Sequence, residues 1–184
     1  LWPLKNAKII REEFFYRAWG ANMAWLVRGV RVDRAKLIWE WVIEKEIMPN
    51  LRPEMQEKIA HHRAEGHRIV LLSGTFLPLL EVIAARVGAN DAVGTPLAKE
   101  HNRYLGRIIP PLGVGIGKIA WLQKFLGGVG KGIDLMASFL YTDSFVDVPV
   151  LEIVGHPVVV YPDVRLAALA SKRGWQVIGM FLIN

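Results

Sequence analysis

The sequence predicts an α/β fold: a Rossmann-like parallel sheet covered by helices, with a small helical region at the N-terminus. Three observations carry this. Short, solidly apolar runs alternate with amphipathic stretches from about residue 50 onward. The links between them are brief and rich in Gly, Pro, Asn and Asp. The first 48 residues depart from the alternation and read as two or three helices. Alternating strands and helices with short links argue for parallel strands packed under helices.

From Ile9 to about Ile47 there is no Pro, Gly is sparse, and apolar residues recur at helical spacing, as in Phe15, Trp19 and Met23. Two or three helices are expected, with turns at Gly20 and Arg28–Arg31 and with Asp33 as an N-cap. Pro49 and Pro53 mark a boundary, so residues 1–48 read as a helical region and 49–184 as the α/β core. An amphipathic helix follows from Pro53 to about Glu65. The run Arg68–Ser73 then reads as a buried strand. The alternation continues as helix Leu77–Val87, strand Asp91–Leu97, a hairpin-like segment at Asn102–Gly106 and a helix from Gly117 to Leu126. Strand Ser138–Thr142, helix Val148–Val154, strand Pro157–Tyr161, helix Val164–Lys172 and strand Gln176–Ile178 complete it.

Composition narrows the function classes. With 184 residues, 52% hydrophobic and 22% charged, the chain is globular and not disordered. It has no Cys, which removes disulfides, thiolate metal sites and cysteine nucleophiles, and fits a cytoplasmic protein. The longest stretch without charge, Ile69–Leu80, falls short of the roughly 20 residues a membrane helix needs. The net charge of +6 is concentrated in residues 1–36, which hold eight Lys/Arg against three acids. Five of the seven Trp lie in the first 41 residues. Such a segment suits either Trp packed within a helical subdomain or peripheral contact with an anionic membrane surface. No nucleic-acid motif accompanies it, so a nucleic-acid partner is not expected.

In an open parallel sheet, ligands bind beyond the carboxyl ends of the strands, where loops feed helix N-termini. Two such strand ends are polar. Ser73-Gly74-Thr75 offers a hydroxyl, a glycine that lets backbone N–H approach an oxyanion, and the positive end of the next helix. Asp143 and Asp147 bring two carboxylates within four residues, the kind of ligand a hard cation takes. Helix capping is the plain structural alternative for both segments. Lys118 sits at the start of a helix, where a cation is disfavoured unless an anion lies beside it. The glycines before it do not form a P-loop, since Leu112 and Ile119 occupy positions that require Gly and Ser or Thr. Gly130-Lys131 fails in the same way at Phe125, and His61, His62 and His67 read as exposed helix residues.

Taken in order, Ile-Val-Leu-Leu-Ser73-Gly74-Thr75, then Gly117-Lys118, then Tyr141-Thr-Asp143-Ser144-Phe-Val-Asp147 resemble motifs II, III and IV of the haloacid dehalogenase-like (HAD) phosphohydrolases. The closer resemblance is to subfamily IB, the phosphoserine phosphatase-like group, whose helical cap precedes motif II. The resemblance implies a HAD-like core and a Mg²⁺-dependent phosphomonoesterase working through an aspartyl-phosphate. It implies that Ser73, Gly74 and Lys118 hold phosphate oxygens, that Asp143 ligates Mg²⁺, that Asp147 binds or orients the metal and Lys118, and that Thr75 and Ser144 support them. The implied substrate is a small or lipid-linked phosphomonoester. Motif I, an Asp-x-Asp pair that supplies the nucleophile, has no counterpart among Asp33, Asp91, Asp134, Asp143, Asp147 and Asp163. With no initiating Met, the sequence reads as a fragment cut after motif I, lacking the nucleophile and the central strand and inactive alone. The alternative is a non-catalytic, phosphate-binding or scaffolding relative. Val146, where phosphoserine phosphatases usually carry Asn, weakens the case for phosphoserine itself.

Overall fold

A computed structural model describes Gly20 and residues 22–179. The chain divides into two compact units, Leu1–Gly113 and Val114–Asn184. Among the described residues no helix is long and apolar enough to cross a membrane.

In the first unit, helix α1 (Val32–Val42) runs on into a π-helical turn at Ile43–Ile47 and a 3₁₀ turn at Met48–Asn50. Pro53 then opens α2 (Pro53–Ala64) in the first turn, where its missing N–H costs nothing. The cap of α1 differs from expectation. Arg31, in extended conformation, holds the N-cap position without a side-chain cap bond. Asp33 instead lies in the first turn and accepts two bonds from the Arg31 guanidinium, each 3.0 Å. That hydrogen bonding lowers the Asp33 carboxyl below its ordinary range.

The inner face of α1 buries Ala35 and Trp39 in a cluster with Ala24, Leu97 and Tyr104. The Trp39 and Tyr104 rings meet in a tilted pair with centroids 5.6 Å apart. Such a pair contributes about 0.5–1.5 kcal/mol beyond its area. Packing of Trp inside the helical region therefore holds for Trp39, whereas Trp25 and Trp41 are 62% and 60% exposed. Trp2 and Trp19 lie outside the described residues.

The remaining elements of this unit are β1 (Val70–Phe76), α3 (Leu77–Val87), β2 (Asp91–Thr95), β3 (Leu97–Glu100) and β4 (Arg103–Ile108). The expected strand Asp91–Leu97 is divided, because Pro96 cannot donate to a ladder. Its first part, β2, lies parallel to β1, and the chain beyond Pro96 enters the antiparallel hairpin β3–β4. That hairpin turns through His101 and Asn102, both at positive φ, as a tight two-residue turn demands. Strand β1 also departs from expectation. It does not end at Leu72 or Ser73 but continues to Phe76 through an irregularity: Leu72 pairs with Val93 and Phe76 with Thr95. Ser73, Gly74 and Thr75 thus stand opposite Gly94 alone, which makes a bulge.

In the second unit, α4 (Ile116–Leu126) precedes β5 (Phe139–Thr142). A 3₁₀ turn at Phe145–Asp147 leads into the short α5 (Val148–Leu151), followed by β6 (His156–Val160), α6 (Val164–Arg173) and β7 (Gln176–Ile178). The strands form a parallel sheet in the order β5-β6-β7. Leu151, Val159, Leu166 and Ala170 make its core, with Leu140, Phe145, Val148 and Trp175 packed against them. Asp163 caps α6 by accepting the Leu166 N–H at 2.8 Å. Among the described residues, β1 pairs only with β2, and β5 pairs with one strand, β6.

Candidate functional site

In the second unit the chemistry gathers at the carboxyl end of β5. Lys118 lies in the first turn of α4, after Gly115, which adopts a positive φ of 57° to start the helix. Its Nζ lies 2.6 Å from Asp147 Oδ1, with only 10% and 12% of the two side chains exposed. The cation that looked misplaced at a positive helix end therefore has its anion within the same unit. The other Asp147 oxygen, Oδ2, accepts from the Thr142 hydroxyl at 2.8 Å, and Thr142 Oγ1 accepts from the Ser144 N–H at 3.2 Å. Although Asp147 occupies the position preceding α5, its side chain makes no capping bond. The capping alternative thus fails at Asp147, whose carboxylate instead meets Lys118 and Thr142.

Asp143 stands one residue beyond β5 and is exposed, as a carboxylate meeting a hydrated ion would be. Ser144 follows it, half-buried, and its backbone joins the network through Thr142. Burial also pushes the neighbouring Tyr141 phenol up from its ordinary value. No group of three or more His, Asp or Glu is arranged for a metal among the described residues. Mg²⁺ does not require such a cage: it takes one or two carboxylates, several waters and phosphate oxygens. The hard oxygen donors of Asp143 and Asp147 fit that ion in kind and number.

The first unit holds the other candidate segment. Ser73, Gly74 and Thr75 form the β1 bulge, half-buried, and α3 begins only at Leu77. The cap position of α3 is Phe76, with no side-chain cap bond, so neither Ser73 nor Thr75 serves as a cap. Ser73 Oγ accepts the Thr75 N–H at 3.2 Å. An accepting hydroxyl keeps its own proton to donate, which is what an anion requires. Bulges re-aim side chains and are common beside functional sites.

Sequence reasoning missed Thr142 and Thr95. Thr142 was visible as the last residue of its strand. Thr95 was hidden because the expected strand ran on to Leu97 and placed it mid-strand. The fully buried Thr95 hydroxyl donates to the Gly74 carbonyl at 2.8 Å and accepts the Gly113 N–H at 2.9 Å. The histidines differ partly from expectation. His61 is exposed on α2, His67 is exposed but lies beyond the helix, which ends at Ala64, and His62 is half-buried, with its Nδ1 2.9 Å from that of His67.

The family model of the haloacid dehalogenase-like hydrolases matches residues 5–152. The chain belongs to that family. Within the HAD family its likeness is to the phosphoserine phosphatase-like members. Phosphoserine phosphatase of Mycobacterium tuberculosis is 28% identical over 151 residues, 82% of this chain and 48% of that protein. Histidinol-phosphatase of Neisseria meningitidis is 28% identical over 159 residues, 85% of this chain and 71% of that protein. A solved protein of unknown function from Bordetella pertussis superposes with a TM-score of 0.82 at 27% identity, covering 97% of this chain and 79% of its own. The chain spans about half the length of several of the curated relatives it matches.

Proposed function

We propose that this chain is the phosphate- and metal-holding part of a HAD-type phosphomonoester hydrolase. The observation that carries the reading is the buried Lys118–Asp147 pair, braced by Thr142 at the end of a parallel strand. In this reading Ser73, Gly74 and Lys118 bind phosphate, Asp143 and Asp147 hold Mg²⁺, and Thr75 and Ser144 support them. Mg²⁺, when bound, would neutralise charge on the phosphate oxygens. Lys118 keeps further ammonium protons beyond the one directed at Asp147, so it can donate to an anion while staying paired. The substrate is a small phosphomonoester, as the names of the relatives suggest, and the helical region 1–48 acts as the cap that selects it. A cytoplasmic location belongs to the same proposal.

The 184 residues contain no Asp-x-Asp pair, so the chain alone is expected to bind phosphate without turnover. The test is Mg²⁺-dependent hydrolysis of an aryl phosphate, alongside titration with inorganic phosphate. Turnover by the 184-residue chain overturns the assignment of an absent nucleophile. No phosphate binding, with or without Mg²⁺, overturns the whole reading. Binding without turnover in every longer natural form favours a non-catalytic, phosphate-binding relative.

A second reading has its own observation. On α1, Arg34, Leu37, Ile38 and Trp41 follow the i, i+3, i+4, i+7 spacing of one helix face, opposite Ala35 and Trp39, and all four are exposed. Three acids of this region, Asp33, Glu40 and Glu44, are taken up in ion pairs with Arg31, Lys36 and Arg86. An exposed Trp on the same helix face as Arg34 suits an anionic bilayer surface and a lipid-linked substrate. Co-sedimentation with vesicles containing phosphatidylserine, lost in Trp41→Ser, is expected. Equal recovery with neutral vesicles, or none with either, refutes it.

A further inference from the structure

We infer that Thr95 is a positioning residue that sets the Ser73 hydroxyl for anion binding by clamping the Gly74–Thr75 peptide. The inference rests on the reading of Ser73 as a phosphate ligand. The connection runs through one peptide plane. Thr95 Oγ1 donates to the Gly74 carbonyl at 2.8 Å, while the N–H of the same peptide, on Thr75, donates to Ser73 Oγ at 3.2 Å. In a trans peptide the C=O and N–H point in opposite directions. Fixing the carbonyl on one side therefore fixes the N–H on the other, and with it the lone pair of Ser73 that accepts it. The Ser73 proton is then the one left for a ligand.

Thr95 is itself held rigidly. It is fully buried, and its oxygen accepts the Gly113 N–H at 2.9 Å, so donor and acceptor capacities are both used. The backbone closes around the same contact. A Cβ at Gly113 would meet Thr95 Oγ1 at 3.1 Å and the Ser73 carbonyl oxygen at 3.2 Å, and a Cβ at Gly94 would meet the Thr75 carbonyl oxygen at 2.9 Å. Two glycines thus admit the bulge to a hydroxyl at the end of β2. Ser73, Gly74 and Thr75 face a single residue of the partner strand and have lost the regular ladder that would otherwise define them. The Thr95 hydroxyl replaces part of that ladder.

The test is a double-mutant cycle on the affinity of the full-length protein for inorganic phosphate. Ser73→Ala is expected to weaken binding about tenfold, the effect of one lost hydrogen bond to a charged group. Thr95→Val, which keeps shape but removes the hydroxyl, should weaken it about fivefold to tenfold, and Thr95→Ser should restore it. The double variant should bind no worse than Ser73→Ala, because Thr95 acts through Ser73. Thr95→Val with unchanged affinity, or losses that multiply in the double variant, overturns the inference while leaving the phosphate reading intact. Unchanged affinity in Ser73→Ala overturns the reading of Ser73 as a phosphate ligand, and this inference with it. Should Thr95→Val fail to fold, amide exchange of the unmodified protein decides. Slow exchange at Gly113 and Thr75 together supports the clamp, and free exchange at either overturns it.

Discussion

The two candidate segments, one at the end of β5 and one in a bulge of β1, solve the problem of presenting a polar group by opposite means. At Lys118 and Asp147 the solution is charge: two buried ionised side chains face each other, and a threonine completes the carboxylate. At Ser73–Thr75 the solution is backbone: a bulge in a parallel pair, held by the neutral hydroxyl of Thr95 and admitted by glycines. A buried charge pair is intolerant of losing one member and tolerant of losing both. A backbone cradle is intolerant of added volume and of an unpaired carbonyl. The lesson is that two polar segments of one sequence fail under different kinds of substitution.

The largest effect should come from the charged segment. Asp147→Ala leaves the Lys118 ammonium buried without its partner and should cost about 3–5 kcal/mol in urea unfolding. Pairing Asp147→Leu with Lys118→Met should recover most of that stability while abolishing phosphate binding. A double variant as unstable as the single would mean that the pair is not the source of the cost.

The backbone segment should break less severely. Gly94→Ala places a methyl 2.9 Å from the Thr75 carbonyl oxygen, and overpacking of this kind costs about 1–3 kcal/mol. The loss should appear as faster amide exchange in Ser73–Phe76, with the exchange of β6 unchanged. Exchange that accelerates equally in β6 would show that the segment is not locally braced.

The smallest effect lies outside both segments. Burial, more than the nearby His67, His61 and Lys58, pushes the His62 imidazole below its ordinary value of 6.5. The unfolded chain then binds more protons than the folded one between the two values, so stability rises with pH there. It should fall as pH drops from 6.5 through the folded-state value. His62→Gln should flatten that slope, and an unchanged slope would exclude His62 as its origin.

Much of this was legible in the sequence, and the limits have physical causes. The apolar run Pro157–Tyr161 marked a strand whose Val158–Val160 are buried, and α3 and α6 lie close to the expected Leu77–Val87 and Val164–Lys172. Lys118 was legible as an anomaly, a cation at the wrong end of a helix. Its partner was legible only through the family resemblance, which has Asp147 orienting Lys118; nothing in the spacing of residues 118 and 147 by itself says that their side chains meet. The bulge was invisible for a related reason. Strand patterns report which residues are apolar, whereas a register change is set by the partner strand, and Gly94 and Thr95 lie about 20 residues away. The Arg31–Asp33 pair misled similarly, because a good capping residue was drawn two positions inward by a neighbouring guanidinium.

The Lys118–Asp147 contact also has an entropic consequence. A free lysine side chain gives up as much as about 2 kcal/mol of rotamer freedom when a ligand fixes it. Here the ammonium is already immobilised at 2.6 Å from its carboxylate, so that freedom is lost during folding and not at the moment an anion arrives. Weak, small anions such as phosphate have few contacts with which to offset ordering costs. A cation that needs no further ordering lets those few contacts appear almost entirely as affinity.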